Sequence, residues 1–342
     1  MNTKILITGG SGFVGSSLVK KCLDVGYKVI NIDLLNMEIE NPNYLYVKED
    51  ILNIEKIRAY FKEVDIVIHA AAKLPLHKKK SEYKEVNIQG TKNIVRLSND
   101  FNIKYFMYLS SSAIMGKQNT QIDEIAEPKP FEPYGISKYE GEIILKKSLN
   151  KDITYSIIRP RTVVGNERLG IFGLLFSFFQ ENIPVFILGS GKNTLQLIDK
   201  DELTEVIYRL LNQNIGGIYN LGNNDKTNIF NTFQNFKIKI NSKSSIIKLP
   251  KKTTIFILTI LDKLGLSPFA PYHYKAFGES VMFKPSKAYE LVNFTPKKNN
   301  VEILVDAFES FNNNNLDTKS LSTHKKTINL KIFNILKLFK KN

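Results

Sequence analysis

Two hydrophobic periods alternate along the chain. Short runs rich in β-branched and aromatic residues recur at Lys4–Thr8, Lys28–Asp33, Tyr44–Lys48, Asp65–Ala72, Tyr105–Leu109 and Ile153–Pro160, each the length of one strand. Between them, apolar positions fall three and four apart, as in Val14, Leu18, Val19 and Cys22 before Gly26, and helices are expected at Asn53–Lys62 and around Asn87–Thr91. Strand alternating with helix predicts βα units, and the Asp65–Ala72 run, apolar on both faces, predicts a buried parallel strand. Pro133–Leu149 reads as a helix with Pro133 in its first turn and Ile136, Tyr139, Ile143 and Ile144 as its apolar stripe. Beyond residue 165 the order changes. An apolar helix beginning near Arg168, a small strand at Val185–Leu188 and helices at Thr253–Leu264 and Pro285–Val292 follow, and Asn312–Asn315 reads as a polar linker.

Candidate chemistry falls at the ends of the predicted strands. Gly9, Gly12 and Gly15 lie between the first strand and the first helix, where glycines permit a tight turn and let backbone N–H groups approach a pyrophosphate at a helix N-terminus. The second strand ends in Asp33, placed to hold ribose hydroxyls and to repel a 2′-phosphate, which favours NAD over NADP. Asp50 and Ile51 could hold adenine or could open the helix that follows. Ala70, Ala71 and Ala72 let a ligand approach the backbone at the end of the buried strand. Tyr134 and Lys138, four apart, project from one helix face, so the ammonium can lower the phenol pKa and make a base. A hydroxyl from Ser110, Ser111 or Ser112 could steady a substrate oxygen beside Tyr134.

Thr8–Gly15, His69–Ala72, Asn87 with Gly90 and Thr91, Ser110–Gly116, Tyr134–Lys138 and Arg159-Pro160 stand in the order and spacing of the extended short-chain dehydrogenase/reductases, which this chain resembles in their NAD-dependent epimerase/dehydratase group. The likeness continues through Leu197–Leu203, Tyr219–Gly222 and Ser286–Leu291, as far as about Phe311. It implies an α/β fold, a Rossmann-type doubly wound parallel sheet formed by 1–165 and 195–222, with a smaller C-terminal substrate-binding domain from 166–194 and 223–311. It also implies Ser111, Tyr134 and Lys138 as catalytic residues, Ser112 being the alternative hydroxyl. Cofactor contacts are implied for Gly9, Gly12, Phe13, Val14, Gly15, Asp33, Asp50, Ile51, Ala70, Ala71, Ala72, Asn87, Tyr134, Lys138, Arg159, Pro160 and Val163. Two positions depart from the family pattern. Family dehydratases carry an Asp-Glu pair after the catalytic hydroxyl, where this chain has Ser112-Ala113, and many nucleotide-sugar enzymes carry an Arg where Leu195 stands.

The resemblance therefore implies an NAD-dependent sugar epimerase of the 4-epimerase type, passing through a keto intermediate, on a nucleotide- or polyprenyl-linked sugar used in glycan synthesis. A net oxidoreductase acting on a keto-sugar or hydrophobic alcohol is the alternative. A non-catalytic NAD-binding protein ranks last, since it has no need of Ser111, Tyr134 and Lys138 together.

Composition narrows the setting. Cys22 is the single cysteine and the four histidines show no ligand spacing, so neither a disulfide nor a metal site is expected. A start without a signal-like apolar segment is expected of a cytoplasmic protein. The formal charge of +15 is spread among lysines with no nucleic-acid motif, so no nucleic-acid partner is expected. Lys326–Asn342 has Ile328, Ile332, Ile335, Leu336 and Phe339 on one helical face and lysines on another. This tail suits peripheral contact with the inner face of an anionic membrane, or packing on the protein itself or on a second subunit in a homodimer.

Overall fold

A computed structural model describes residues 3–74, 80–116, 121–166, 171–263 and 282–316. Its first half runs β1 (Lys4–Thr8), α1 (Phe13–Asp24), β2 (Lys28–Asp33), β3 (Tyr44–Lys48), α2 (Ile54–Arg58) and β4 (Ile66–His69). Next comes a continuous helix made of α3 (Lys80–Glu82), a π-helical stretch (Tyr83–Gly90) and α4 (Thr91–Asp100), then β5 (Tyr105–Leu109), β6 (Gln121–Ile122), α5 (Pro133–Ser148) and β7 (Thr154–Pro160). The remainder is β8 (Thr162–Val164), α6 (Ile171–Gln180), β9 (Val185–Leu188), β10 (Leu197–Asp199), α7 (Lys200–Asn212), β11 (Gly217–Leu221), α8 (Ile229–Lys239), β12 (Ile246–Leu249), α9 (Lys251–Lys263), β13 (Met282–Phe283), α10 (Lys287–Leu291) and α11 (Asn300–Leu316).

Seven strands form one parallel sheet in the order β11-β7-β5-β4-β1-β2-β3. The chain starts at β1, builds outward to β3, then crosses back to β4 and builds the other way. The switch between β1 and β4 opens a crevice at their carboxyl ends, where open α/β sheets bind ligands. Alternation within the strands supplies a core on each face. Ile5, Ile7, Tyr105 and Met107 pack with α1, α7 and α10, while Leu6, Phe106 and Tyr108 pack with α2, α4 and α5.

A second lobe has a core of its own, in which Phe172, Phe176 and Phe179 of α6 meet Phe233 and Phe236 of α8 and Phe308 of α11. The apolar helix expected near Arg168 is thus the wall of a separate core. Residues 167–170 lie outside the described residues, as does the tail Lys326–Asn342.

Three expectations need correction. Asn312–Asn315 is not a linker but the last turn of α11, since a helix already anchored by Ile303, Leu304, Ala307 and Phe308 extends at one hydrogen bond per added residue. Within 195–222, β11 joins the main sheet beside β7, whereas β10 pairs with β8 in a separate two-stranded sheet. The apolar stripe assigned to α5 is not its most buried face: Ile136 is exposed, Tyr139 and Ile144 pack only partly buried against the cores, and Tyr134, Gly135, Ser137, Lys138, Gly141, Glu142 and Leu145 face inward. A polar face can be buried there because neighbouring strands and loops supply its partners.

Candidate active site

The glycine turn closes on the end of β4. Gly9 adopts φ +73°, and a Cβ there would come 2.5 Å from the Ala71 amide nitrogen, so the turn requires glycine both for its conformation and for its contact. At Gly15 a Cβ would lie 2.1 Å from Gly9 O, which fixes how tightly α1 docks on β1. Gly12, the N-cap of α1, makes no side-chain cap. The helix therefore offers first-turn N–H groups, from Phe13 onward, to an anion in the crevice. Asp33 is already aimed at this turn: Ser11 N–H donates to its Oδ2 and Leu35 N–H to its Oδ1, each at 3.0 Å. Both oxygens keep a lone pair for ribose hydroxyls. The donors, the carboxylate and the backbone edge at Ala70–Ala72 together fit a dinucleotide.

Asp50 accepts from Leu52 N–H at 2.9 Å and shapes the turn into α2, while Ile51 is buried in the core beneath Gly90. Asn87 is consumed internally. Its Oδ1 accepts from Lys73 N–H at 2.7 Å, and its amide donates to Lys73 O and to Ser137 Oγ, tying the β4 loop to α5. Pro160 ends β7 in the buried interior, and Val163 packs from β8 against the core under α1 and α7.

The helix α5 brings the chemistry to the crevice. Its N-cap is Glu132, whose carboxylate accepts from Tyr134 N–H at 2.8 Å and from Gly135 N–H. Burial raises the Glu132 pKa against those two bonds. Gly135 lets the helix approach the serine turn, since a Cβ there would meet Ala113 O at 2.5 Å. Tyr134 is buried, with its ring edge-on to Tyr83 at 6.3 Å between centroids. One turn on, Lys138 is 2% exposed and lies 4.6 Å above the Tyr108 ring. Burial pushes its amine down to about 7, and Glu142 pulls the other way.

The structure separates the three serines. Ser110 Oγ donates to Glu142 Oε1 at 2.7 Å in the interior, and Ser112 Oγ accepts from Arg161 Nη1 at 3.1 Å. Ser111 caps the short 3₁₀ turn Ser112–Met115, its Oγ accepting from Ala113 N–H at 3.2 Å, and is the least buried of the three.

Beneath these residues lies a buried polar layer that sequence reasoning missed. Arg159, expected to face the cofactor, forms a bidentate pair with Glu142, Nε to Oε1 at 2.9 Å and Nη2 to Oε2 at 2.7 Å, and both side chains are within 2% of full burial. His69 accepts from Thr8 Oγ1 at Nδ1, at 2.7 Å, and donates from Nε2 to Thr91 Oγ1 at 3.0 Å, because the Thr91 hydroxyl proton is already given to Asn87 O. Burial, with Lys138 nearby, pushes the imidazole down to about 3, so it stays neutral. The sequence did carry a signal for Glu142: it stands one more turn along the line of Tyr134 and Lys138.

Residues 5–222 match the model of the NAD dependent epimerase/dehydratase family. The chain belongs to that family. Protein y4nG of Sinorhizobium fredii is 32% identical over 311 residues, spanning 90% of this chain and 78% of that protein. The N-acetyl-alpha-D-glucosaminyl-diphospho-ditrans,octacis-undecaprenol 4-epimerase of Escherichia coli O157:H7 is 26% identical, spanning 84% and 89%. Among solved structures, UDP-glucuronic acid 4-epimerase from Bacillus cereus in complex with NAD superimposes with a TM-score of 0.72 at 23% identity, covering 91% of this chain and 99% of that one, a likeness of fold. Family membership accounts for the parallel sheet, the glycine turn and the Tyr-Lys helix as one inherited unit.

Proposed function

We propose that this epimerase/dehydratase-family chain is an NAD-dependent sugar 4-epimerase acting on a sugar linked through a diphosphate to a nucleotide or a polyprenol. The observation that carries this reading is the constellation of Tyr134, Lys138 and Ser111, with the nearby carboxylates of the described residues already engaged. Position 112 is a serine held by Arg161, position 113 is alanine, Glu132 caps α5 and Glu142 is paired with Arg159. Without a free acid to protonate a leaving hydroxyl, loss of water is disfavoured and inversion of configuration is left.

In this reading Tyr134 takes the proton from a ring hydroxyl and later returns it, Lys138 stabilises the phenolate across one helical turn, and Ser111 donates to the substrate oxygen. Gly9–Gly15 with the α1 N-terminus would hold the cofactor pyrophosphate, and Asp33 the adenosine ribose. Bound NAD would supply reversible hydride acceptance at the sugar carbon, so that cofactor would not be consumed. Asn87 and Arg159 act as positioning residues that fix α5 against the sheet.

The names of the Escherichia coli and Bacillus cereus proteins support position 4 as the centre inverted. Leu195, buried in the second core where many nucleotide-sugar enzymes have arginine, favours recognition that does not rely on that cation. The hydrophobic-alcohol alternative is less favoured, since Phe172, Phe176, Phe178, Phe179, Ile183, Val185 and Ile187 are spent on that core. The test is incubation of purified protein and NAD with nucleotide-linked and polyprenyl-linked sugars, followed by product analysis. An epimeric product without net accumulation of reduced nicotinamide supports the reading, and a dehydrated product or steady accumulation of reduced cofactor refutes it.

A further inference from the structure

Among the described residues, α9 is the helix whose apolar side chains have no core to enter. Ile255, Phe256, Ile257, Leu258, Ile260 and Leu261 include no fully buried residue, and none belongs to any of the hydrophobic cores. Its outward residues are Lys252, Thr253, Phe256, Ile257 and Ile260, which fall on one side of a helical projection. Phe256 is 66% exposed, Ile257 50% and Ile260 43%. Phe186 and Ile247, register partners on β9 and β12, add a second exposed apolar pair on the two-stranded sheet whose β12 leads directly into α9.

The charge around this face is predominantly positive, with Asp262 near the helix end as the exception. From Lys226 to Leu261 the chain contains seven lysines and no Asp or Glu, and Lys251 and Lys252 open the helix itself. An apolar strip with two lysines at its start and Asp262 as the helix's single acid is poorly suited to a basic protein surface, and this chain is itself basic. It is matched to a surface that is apolar beneath and anionic above. The helix is far too short to cross a bilayer, at about 20 Å for its 13 residues. It can only lie along one.

We propose that α9, with Phe186 and Ile247, is a docking face for an anionic lipid bilayer, with Phe256, Ile257 and Ile260 inserted at the level of the acyl chains and the lysines set against lipid phosphates. The face belongs to the second lobe and leaves the crevice residues on the main sheet untouched, so the proposal stands apart from the reaction assigned above. If the substrate is polyprenyl-linked, docking would present the crevice to a sugar carried at the same surface.

The test is co-sedimentation of the full-length protein with phosphatidylglycerol-containing vesicles and with phosphatidylcholine vesicles. Binding is expected only to the first and should weaken with salt. Phe256→Ser/Ile257→Ser/Ile260→Ser should lower the affinity by at least about tenfold, and Lys251→Glu/Lys252→Glu should lower it by a similar factor without altering the apolar strip. Thermal unfolding of both variants should match the unaltered protein, because the changed groups lie outside the cores. Vesicle binding that survives both variants would overturn the proposal and move the anchor to another part of the chain. Absence of vesicle binding, or a solution dimer that the serine variant dissociates, would overturn it as well.

Discussion

Helices α5 and α9 break the same rule in opposite senses. A helix on a globular protein ordinarily turns its apolar stripe inward and its polar face to water. α5 buries Ser137, Lys138 and Glu142 and leaves Ile136 exposed, while α9 holds Phe256, Ile257 and Ile260 outside. The physical difference lies in the partners. Every inward polar group of α5 meets something built to receive it: Glu142 meets Arg159 and Ser110, Ser137 meets Asn87, and Lys138 meets the face of Tyr108. No residue of the described chain does that for α9. An internal network accounts for the first inversion, and the bilayer proposed above would account for the second.

The contrast can be broken by substitution, beginning where the effect is largest. Tyr134→Phe keeps the ring against Tyr83 but removes the acid/base, so turnover should fall by about 10²–10⁴ while NAD still binds. Single-turnover assays with cofactor titration would show this, and near-normal turnover would remove Tyr134 from its role. Glu142→Ala strands the Arg159 guanidinium in the interior and should cost about 3–5 kcal/mol of folding stability, whereas Phe256→Ser on α9 should change it by no more than about 0.5 kcal/mol. Urea unfolding of the two variants side by side tests the comparison itself. Equal losses would mean that α9 is packed after all.

Asp33→Ala, on the cofactor side, should weaken NAD binding by about 10–100-fold through loss of charged hydrogen bonds, and should relax discrimination against a 2′-phosphate. Calorimetric titration with both cofactors decides it. Unchanged affinity would refute the assignment of Asp33.

A further effect concerns pH. The Lys138 amine releases its proton near 7 in the folded protein and near 10.5 when unfolded, so between those values the unfolded chain binds more protons and folding stability rises with pH. Below that window the full cost of burying the ammonium is present, and through it the cost is relieved. Lys138→Met should remove this contribution, so the unaltered protein should gain stability relative to the variant as pH rises through the window. Parallel curves would show that Lys138 is not desolvated.

The sequence made the main sheet legible because its strands are predominantly apolar or aromatic and its glycines mark a turn with one geometric purpose. Tyr134, Lys138 and Asp33 were legible for a similar reason: spacing along a helix or a βα unit is fixed by backbone geometry. The buried face of α5 was not, because hydrophobic periodicity treats Glu142 and Lys138 as surface residues and knows nothing of Arg159, 17 positions away. Arg159 and Asn87 were read as facing the cofactor because the family resemblance implied it. Only the side-chain bonds reveal that their polar atoms are turned to the protein. At Asn312–Asn315 composition suggested a linker, and the packing of the preceding turns kept the helix going.

The most direct test of the central claim follows configuration and cofactor in one experiment. The purified protein, given NAD and each of a set of nucleotide- and polyprenyl-linked sugars, would be monitored by NMR for the sugar and by near-ultraviolet absorbance for reduced nicotinamide. The expected result is an equilibrium mixture of two sugars differing at the fourth carbon, reached with many turnovers per cofactor and no growing absorbance, and lost in Tyr134→Phe. Reduced nicotinamide rising in step with product, or inversion that persists in Tyr134→Phe, would contradict it.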